Sequence, residues 1–212
     1  MSYTREDVLR ATGNLTGKTI PVHVRIEATQ IVLSQPEMRE LLFRAETIAV
    51  GNCVCREEER NCDAPLEVCL ALDDEARQKM ADGRWRGISR DDALALLEET
   101  YRHGLVHMAY RRGDDGEIRF VCSCCTCCCG PLNGLKAFDY RDAIAESAYV
   151  ACHSEADCVG CGACVPRCPF GAYARAEDSD EIAFSADRCF GCGLCVGTCP
   201  AGAIRLVRRD AV

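Results

Sequence analysis

The sequence predicts an α+β protein in two parts. A mixed α/β, cysteine-rich N-terminal domain spans residues 1–135, and a small C-terminal module spans 152–212, with a linker helix over 136–151 between them. Three observations predict this. Nineteen cysteines fall in two separate fields, the first opening only at Cys53. One cysteine phrase occurs twice near the end of the chain, with a period of 31 residues. Upstream of it, segments with apolar residues at helical spacing are interspersed with segments that alternate every second residue.

The elements follow in order. Val22, Val24 and Ile26 alternate with His23, Arg25 and Glu27, which predicts a strand. Ser34-Gln35-Pro36-Glu37 is a helix start, with Ser34 as N-cap and Glu37 as its capping-box partner. Met38, Leu41, Leu42 and Ala45 continue that helix at the right spacing. Residues 47–50 predict a strand running into Gly51-Asn52-Cys53. A helix is expected after Pro65, ending near Gly83 and carrying Cys69, Leu70, Leu72, Ala76 and Met80. Another is capped by Ser89 with Asp92, runs through Leu94, Leu97 and Tyr101, and stops at Gly104. Residues 105–110 and 118–122 predict two strands joined by a turn at Gly113-Asp114-Asp115-Gly116. The linker helix is expected over 140–149.

Composition narrows the function classes. A disulfide framework is disfavoured: the cysteine count is odd, several cysteines are adjacent, and the opening residues form no signal peptide. Soft thiolates at short spacing instead select iron–sulfur clusters, zinc or Cu(I), and a reducing cytoplasm is the expected compartment. No apolar run approaches the ~20 residues of a membrane helix. The formal net charge is −8, which argues against nucleic acid and suits docking to basic redox partners. No dinucleotide fingerprint or P-loop is present. The pairs Asp73-Asp74 and Glu98-Glu99 read as solvated helix faces.

The duplicated phrase is Cys158-x2-Cys161-x2-Cys164-x3-Cys168-Pro169, then Cys189-x2-Cys192-x2-Cys195-x3-Cys199-Pro200. It resembles the run of bacterial-type ferredoxins that carry two 4Fe-4S clusters. The resemblance covers about 57 of the 212 residues. It implies a ferredoxin-like, pseudo-twofold ββα-type dicluster module. It also implies crosswise ligation: one cluster on Cys158, Cys161, Cys164 and Cys199, the other on Cys189, Cys192, Cys195 and Cys168. Gly160, Gly162, Gly191 and Gly193 are expected to take backbone conformations that open the loops around the clusters. Cys152, just ahead of the first phrase, is expected to pack as a small hydrophobe in a short strand.

Ten further cysteines lie upstream: Cys53, Cys55, Cys62 and Cys69, then Cys122, Cys124, Cys125, Cys127, Cys128 and Cys129. Cys53-Val54-Cys55-Arg56, Glu67-x-Cys69-Leu70, Gly104-Leu105-Val106-His107 and Cys122-x-Cys124-Cys125 resemble a cysteine-rich domain found ahead of dicluster modules in proteins of anaerobic bacteria. Ten thiols exceed the needs of one cubane or one zinc. Two four-ligand sites, one larger cluster, or a third cubane with spare redox thiols all fit. A further iron–sulfur cluster in residues 51–135 is expected, with structural zinc as the alternative. Neighbours on an extended chain point apart, so Cys124 and Cys125 are expected to serve different metals. Arg56 either neutralises a cluster or lies exposed, and His107 is expected to be a hydrogen-bonded core histidine.

The expected function is relay of single electrons between redox partners, probed against two alternatives. One is an oxidoreductase whose unusual N-terminal cluster binds substrate and is fed by the ferredoxin module. The other is a redox or metal sensor.

Overall fold

The computed structural model describes residues 30–111, 117–139, 141, 144–176 and 181–211. The strand expected over 22–26 and the turn over 113–116 lie outside these residues.

Six strands form one antiparallel sheet: β1 (Gln30–Val32), β2 (Ile48–Asn52), β3 (Glu67–Leu72), β4 (Arg86–Gly87), β5 (Val106–Arg111) and β6 (Ile118–Cys124). Their order across the sheet is β1-β5-β6-β3-β2-β4. Helices α1 (Gln35–Arg44) and α4 (Arg90–Arg102) cover one face. There Met38, Leu42, Ala93 and Leu97 pack on Val50, Leu70, Ala109 and Val121. The alternation of a strand sends the neighbouring residues to the opposite face. On that second face α3 (Asp73–Ala81) places Ala76 against Ala49 and Ala71. The remainder of the second face carries Val106, Met108 and Cys124, covered by Leu132 and Leu135 of α5 (Gly130–Phe138) and by the C-terminal module. One short helix, α2 (Val54–Glu59), fills part of the β2–β3 connection.

The two capping boxes read from the sequence are present, at Ser34/Glu37 and Ser89/Asp92. Both depend only on residues three apart, so local chemistry suffices. Gly104 closes α4 with φ +79°.

Two expectations are corrected. The single helix after Pro65 is instead β3 followed by α3. β3 sits between β6 and β2 and is buried from Val68 to Leu72, so its unbroken apolar run merges with that of the helix. The change of conformation is made at Asp73, at φ +52°. Its carboxylate accepts from Glu46 N (2.7 Å) and Thr47 N (3.1 Å), which holds a conformation that Asp tolerates better than most residues. The linker helix over 140–149 is also absent from the described residues there. Residues 144–148 are non-helical, Ala145 bridges Ile31, and Tyr149 already belongs to a strand. Helical spacing had only a few apolar positions to act on there, and pairing with β1 and with the chain's last strand prevails.

The C-terminal module has β7 (Tyr149–His153), α6 (Cys164–Arg167), β8 (Tyr173–Arg175), β9 (Ile182–Phe184) and β10 (Ile204–Arg208). β7 pairs with β10 and β8 with β9, both antiparallel. Cys152 lies in β7 opposite Arg205.

Glu37 fastens the two parts together. Its Oε2 accepts from Ser34 N (2.8 Å), Ser34 Oγ (2.6 Å) and Ser147 Oγ (2.6 Å), and its Oε1 from Ala148 N (3.0 Å). Burial alone would raise this carboxyl's pKa, but the four hydrogen bonds outweigh burial and hold it below the ordinary value. A depressed folded-state pKa stabilises above the unfolded value of about 4.3, and the contribution is lost as pH falls through the folded pKa. Glu37→Gln should therefore cost about 1.5–3 kcal/mol at neutral pH and shrink to little in acid. Thermal denaturation of both proteins across pH checks this.

Candidate metal centres

The upstream cysteines gather because of strand direction. β2 ends, β3 begins and β6 ends at the same edge of the sheet, since each is antiparallel to its neighbour. Gly51 pairs with Cys69, Leu70 with Val121, and Met108 with Cys122. Cys53 and Cys55 follow β2, Cys69 is the third residue of β3, and Cys122 and Cys124 stand on one face of β6.

Six thiols form one continuous set there. Cys53 meets Cys55 and Cys69, Cys69 meets Cys122, Cys122 meets Cys124, and Cys124 meets Cys129. Cys55 lies close enough to Cys129 and Cys122 for their charges to oppose its ionisation. Four of the six, Cys53, Cys69, Cys124 and Cys129, are buried. The hydroxyl of Tyr110 lies 4.0 Å from Cys124 Sγ and 3.9 Å from Cys129 Sγ.

The other four form a separate set. Cys62 Sγ lies 3.7 Å from Cys125 Sγ and 3.8 Å from Cys128 Sγ, and Cys127 Sγ lies 3.9 Å from Cys128 Sγ. All four sulfurs lie within 4.8 Å of one another. Cys124 and Cys125 thus belong to different sets, as the alternation of an extended chain requires.

Arg56 stands between the two sets. It is 1% exposed, although it follows an exposed cysteine in sequence. Its guanidinium donates to Pro65 O, to Ser123 O at 3.0 Å and to Cys125 Sγ at 3.6 Å. Burial would lower its pKa, but the bond to Cys125 and the charges of Cys53, Cys125 and Cys62 raise it instead. The thiols respond in turn. Cys53 is lowered to about 2, first by hydrogen bonds from Cys55 and Cys69, with Arg56 adding to them. Burial opposes ionisation of Cys125, yet the Arg56 and Cys127 hydrogen bonds bring it to about 7. Arg56 Nε is a buried donor with no partner among the described residues, beside two sets of sulfurs. Buried donors of this kind call for an acceptor, and bridging sulfide or metal-bound thiolate is one.

The module's eight cysteines also fall into two sets. Cys164 is raised by burial and by the charges of Cys158, Cys161 and Cys199. Cys192 is raised by burial and by Cys195, Cys168 and Cys189. Each set offers four thiolates, the donor set that a 4Fe-4S cluster takes. The second set lines an enclosed cavity with Phe170, Tyr173 and Phe190. Backbone N–H groups already aim at its sulfurs: Ala151 N lies 3.4 Å from Cys189 Sγ and Ala172 N 3.3 Å from Cys168 Sγ. Gly191 carries φ +75°, and a Cβ there would come within 2.0 Å of Tyr149 O, so no other residue fits the loop. The first set is nearer solvent, with Cys161 exposed beside Val159.

One apolar cluster joins the six-thiol set to the second module set. Cys122, Cys124 and Cys129 share it with Phe170, Phe190, Leu194, Cys168 and Cys192. Tyr101 pins the contact: its hydroxyl donates to Gly193 O and accepts from Gly197 N, each at 2.9 Å.

His107 is a core residue, with Nε2 3.0 Å from Thr100 Oγ1. Burial lowers its pKa from the ordinary 6.5 to about 4, which keeps it neutral at physiological pH. The unfolded chain therefore binds the extra proton, and stability should fall as pH drops from 6.5 toward 4, by about 3 kcal/mol. The difference between wild type and His107→Gln in denaturation midpoint against pH isolates this contribution.

Sequence reasoning missed Tyr110, Tyr101 and the burial of Arg56. Tyr110 had one signal: it continues the alternation of Val106 and Met108 on the face that bears Cys122 and Cys124.

Residues 157–204 match the family of the 4Fe-4S dicluster domain. The protein therefore carries an iron–sulfur dicluster domain at its C-terminal end, joined to a mixed α/β sheet domain with a cysteine cluster. No curated protein matches the chain. No helix among the described residues is long and apolar enough to cross a membrane.

Proposed function

We propose that the protein relays single electrons between redox partner proteins. Its ferredoxin-like, pseudo-twofold module would hold one 4Fe-4S cluster on Cys158, Cys161, Cys164 and Cys199 and a second on Cys168, Cys189, Cys192 and Cys195. A further cluster would be held by thiols of the six-cysteine set. Such clusters supply one-electron oxidation and reduction, with no bond made or broken in a substrate.

The observation that carries this reading is the shared apolar cluster between the six-thiol set and the buried module set. The chain's own part is to hold these two sets against one another, dry, with Phe170, Phe190 and Leu194 between them. Each N–H aimed at a cysteine sulfur favours the more negative, reduced state and so raises the potential. Cys161 and Val159 are exposed, and on this reading a redox partner would dock at that end of the line.

The test is anaerobic iron and sulfide analysis joined to a potentiometric titration followed by electron paramagnetic resonance. More than about eight irons per chain, with magnetic coupling between a third centre and one module cluster, is the expected result. About eight irons and no third centre would sink the relay beyond the module.

A further inference from the structure

We infer that Cys62, Cys125, Cys127 and Cys128 form a mononuclear site that holds one zinc ion, separate from every iron–sulfur centre of the chain. The inference is independent of the electron relay, since it concerns four thiols that the relay does not use.

Distance is the first argument. Four sulfurs around one zinc at about 2.3 Å stand at the corners of a tetrahedron with edges of about 3.8 Å. Three of the six separations are 3.7, 3.8 and 3.9 Å, and all six lie within 4.8 Å. They are far longer than the bond of about 2.05 Å in a disulfide. They are also too short for thiolates on four different irons of a cubane. A closed set of four thiolates is the donor set of structural zinc.

The surroundings are the second argument. Arg56 donates to Cys125 Sγ at 3.6 Å and sets a positive charge against four thiolates around a divalent ion. Asn61 Nδ2 donates to Cys127 O at 2.9 Å, and the Asn61 backbone N–H bonds the Cys128 sulfur. The outer partners that orient metal ligands are therefore in place. An open cleft of about 680 Å³, lined by Arg56, Glu57, Arg60 and Cys62, gives an ion a way in.

Placement supplies the role. Cys62 lies on the irregular segment between α2 and β3, and the other three lie on the turn between β6 and α5. A single ion ties together these two segments, which are distant in sequence.

The experiment uses the full chain purified without oxygen, with its clusters in place. Metal analysis is expected to give one zinc per chain, and X-ray absorption at the zinc edge four sulfurs at about 2.3 Å. Exchange with cobalt(II) as the probe is expected to give the intense visible bands of a tetrahedral thiolate site, saturating at one equivalent. Cys62→Ser and Cys127→Ser are expected to lose the zinc and the cobalt bands and keep iron and sulfide unchanged, and Cys152→Ser to keep all three. The inference is overturned if wild type holds no zinc, or if the zinc has nitrogen or oxygen ligands. It is overturned equally if a sulfide-free iron occupies the site, or if iron and sulfide fall together in the Cys62 and Cys127 variants. The absorption measurement needs no variant, so a misfolded mutant does not protect the inference.

Discussion

Arg56→Met is expected to destabilise the N-terminal domain by about 3–5 kcal/mol and to strip metal from it, leaving the C-terminal module loaded. The guanidinium is the buried cation between two thiol sets, and it holds Pro65 O and Ser123 O as well as Cys125 Sγ. Methionine fills a similar volume but leaves both carbonyls without donors and the sulfurs of Cys53 and Cys125 without a nearby positive charge. Arg56→Lys keeps the charge, but one ammonium cannot reach three acceptors spread around a planar fork. It should recover part of the loss. Anaerobic thermal denaturation with iron and zinc analysis on the same samples reads both effects. Equal metal content and an unchanged midpoint in Arg56→Met would dismiss the role assigned to this residue.

Cys192→Ser is expected to remove about four irons and four sulfides per chain, the content of one cubane. Cys192 lines the enclosed cavity, and burial pushes its thiol pKa well above the ordinary range, so serine there is still harder to ionise. Cys161→Ser, at the exposed set, should do less damage, because water can approach its iron. The same comparison tests which cysteines act together. Cys199→Ser should alter the centre that Cys164→Ser alters, and Cys168→Ser the centre that Cys192→Ser alters, although each pair is split between the two repeats. Electron paramagnetic resonance of the four reduced variants separates these outcomes. Cys168→Ser grouping with Cys164→Ser would refute the crosswise sets.

How far the sequence carried the reading depended on range. The helix starts at Ser34 and Ser89 were legible because a cap and its partner lie three residues apart. The dicluster domain was legible for the same reason, each copy of its four-cysteine phrase lying within one short loop. β3 was misread because a central strand buried on both faces shows no alternation to set against a helix. The division of the ten upstream cysteines was legible at one point only, between Cys124 and Cys125, where strand alternation must send neighbours apart. The rest of that division is fixed by register: Gly51 against Cys69, and Met108 against Cys122. Register joins residues more than a dozen positions apart, and no local pattern encodes it. The burial of Arg56 has the same origin, since its acceptors Pro65 and Ser123 come from different strands' ends.

The clasp between the two parts of the chain bears on kinetics. Arg167 donates to Tyr101 O (2.5 Å), Arg102 O (3.2 Å) and Leu194 O (3.4 Å). Arg209 donates to Ser147 O and Cys189 O, and Glu37 and Tyr101 close the remaining sides. A carrier domain on a swinging tether delivers charge at the pace of its diffusion, so syrupy solvent slows it. On the proposed relay, donor and acceptor would instead be bolted to one frame, with a constant tunnelling gap. Turnover inside the molecule should then be indifferent to viscosity and respond only to driving force, leaving encounter with outside partners as the one step that stirring the medium can change.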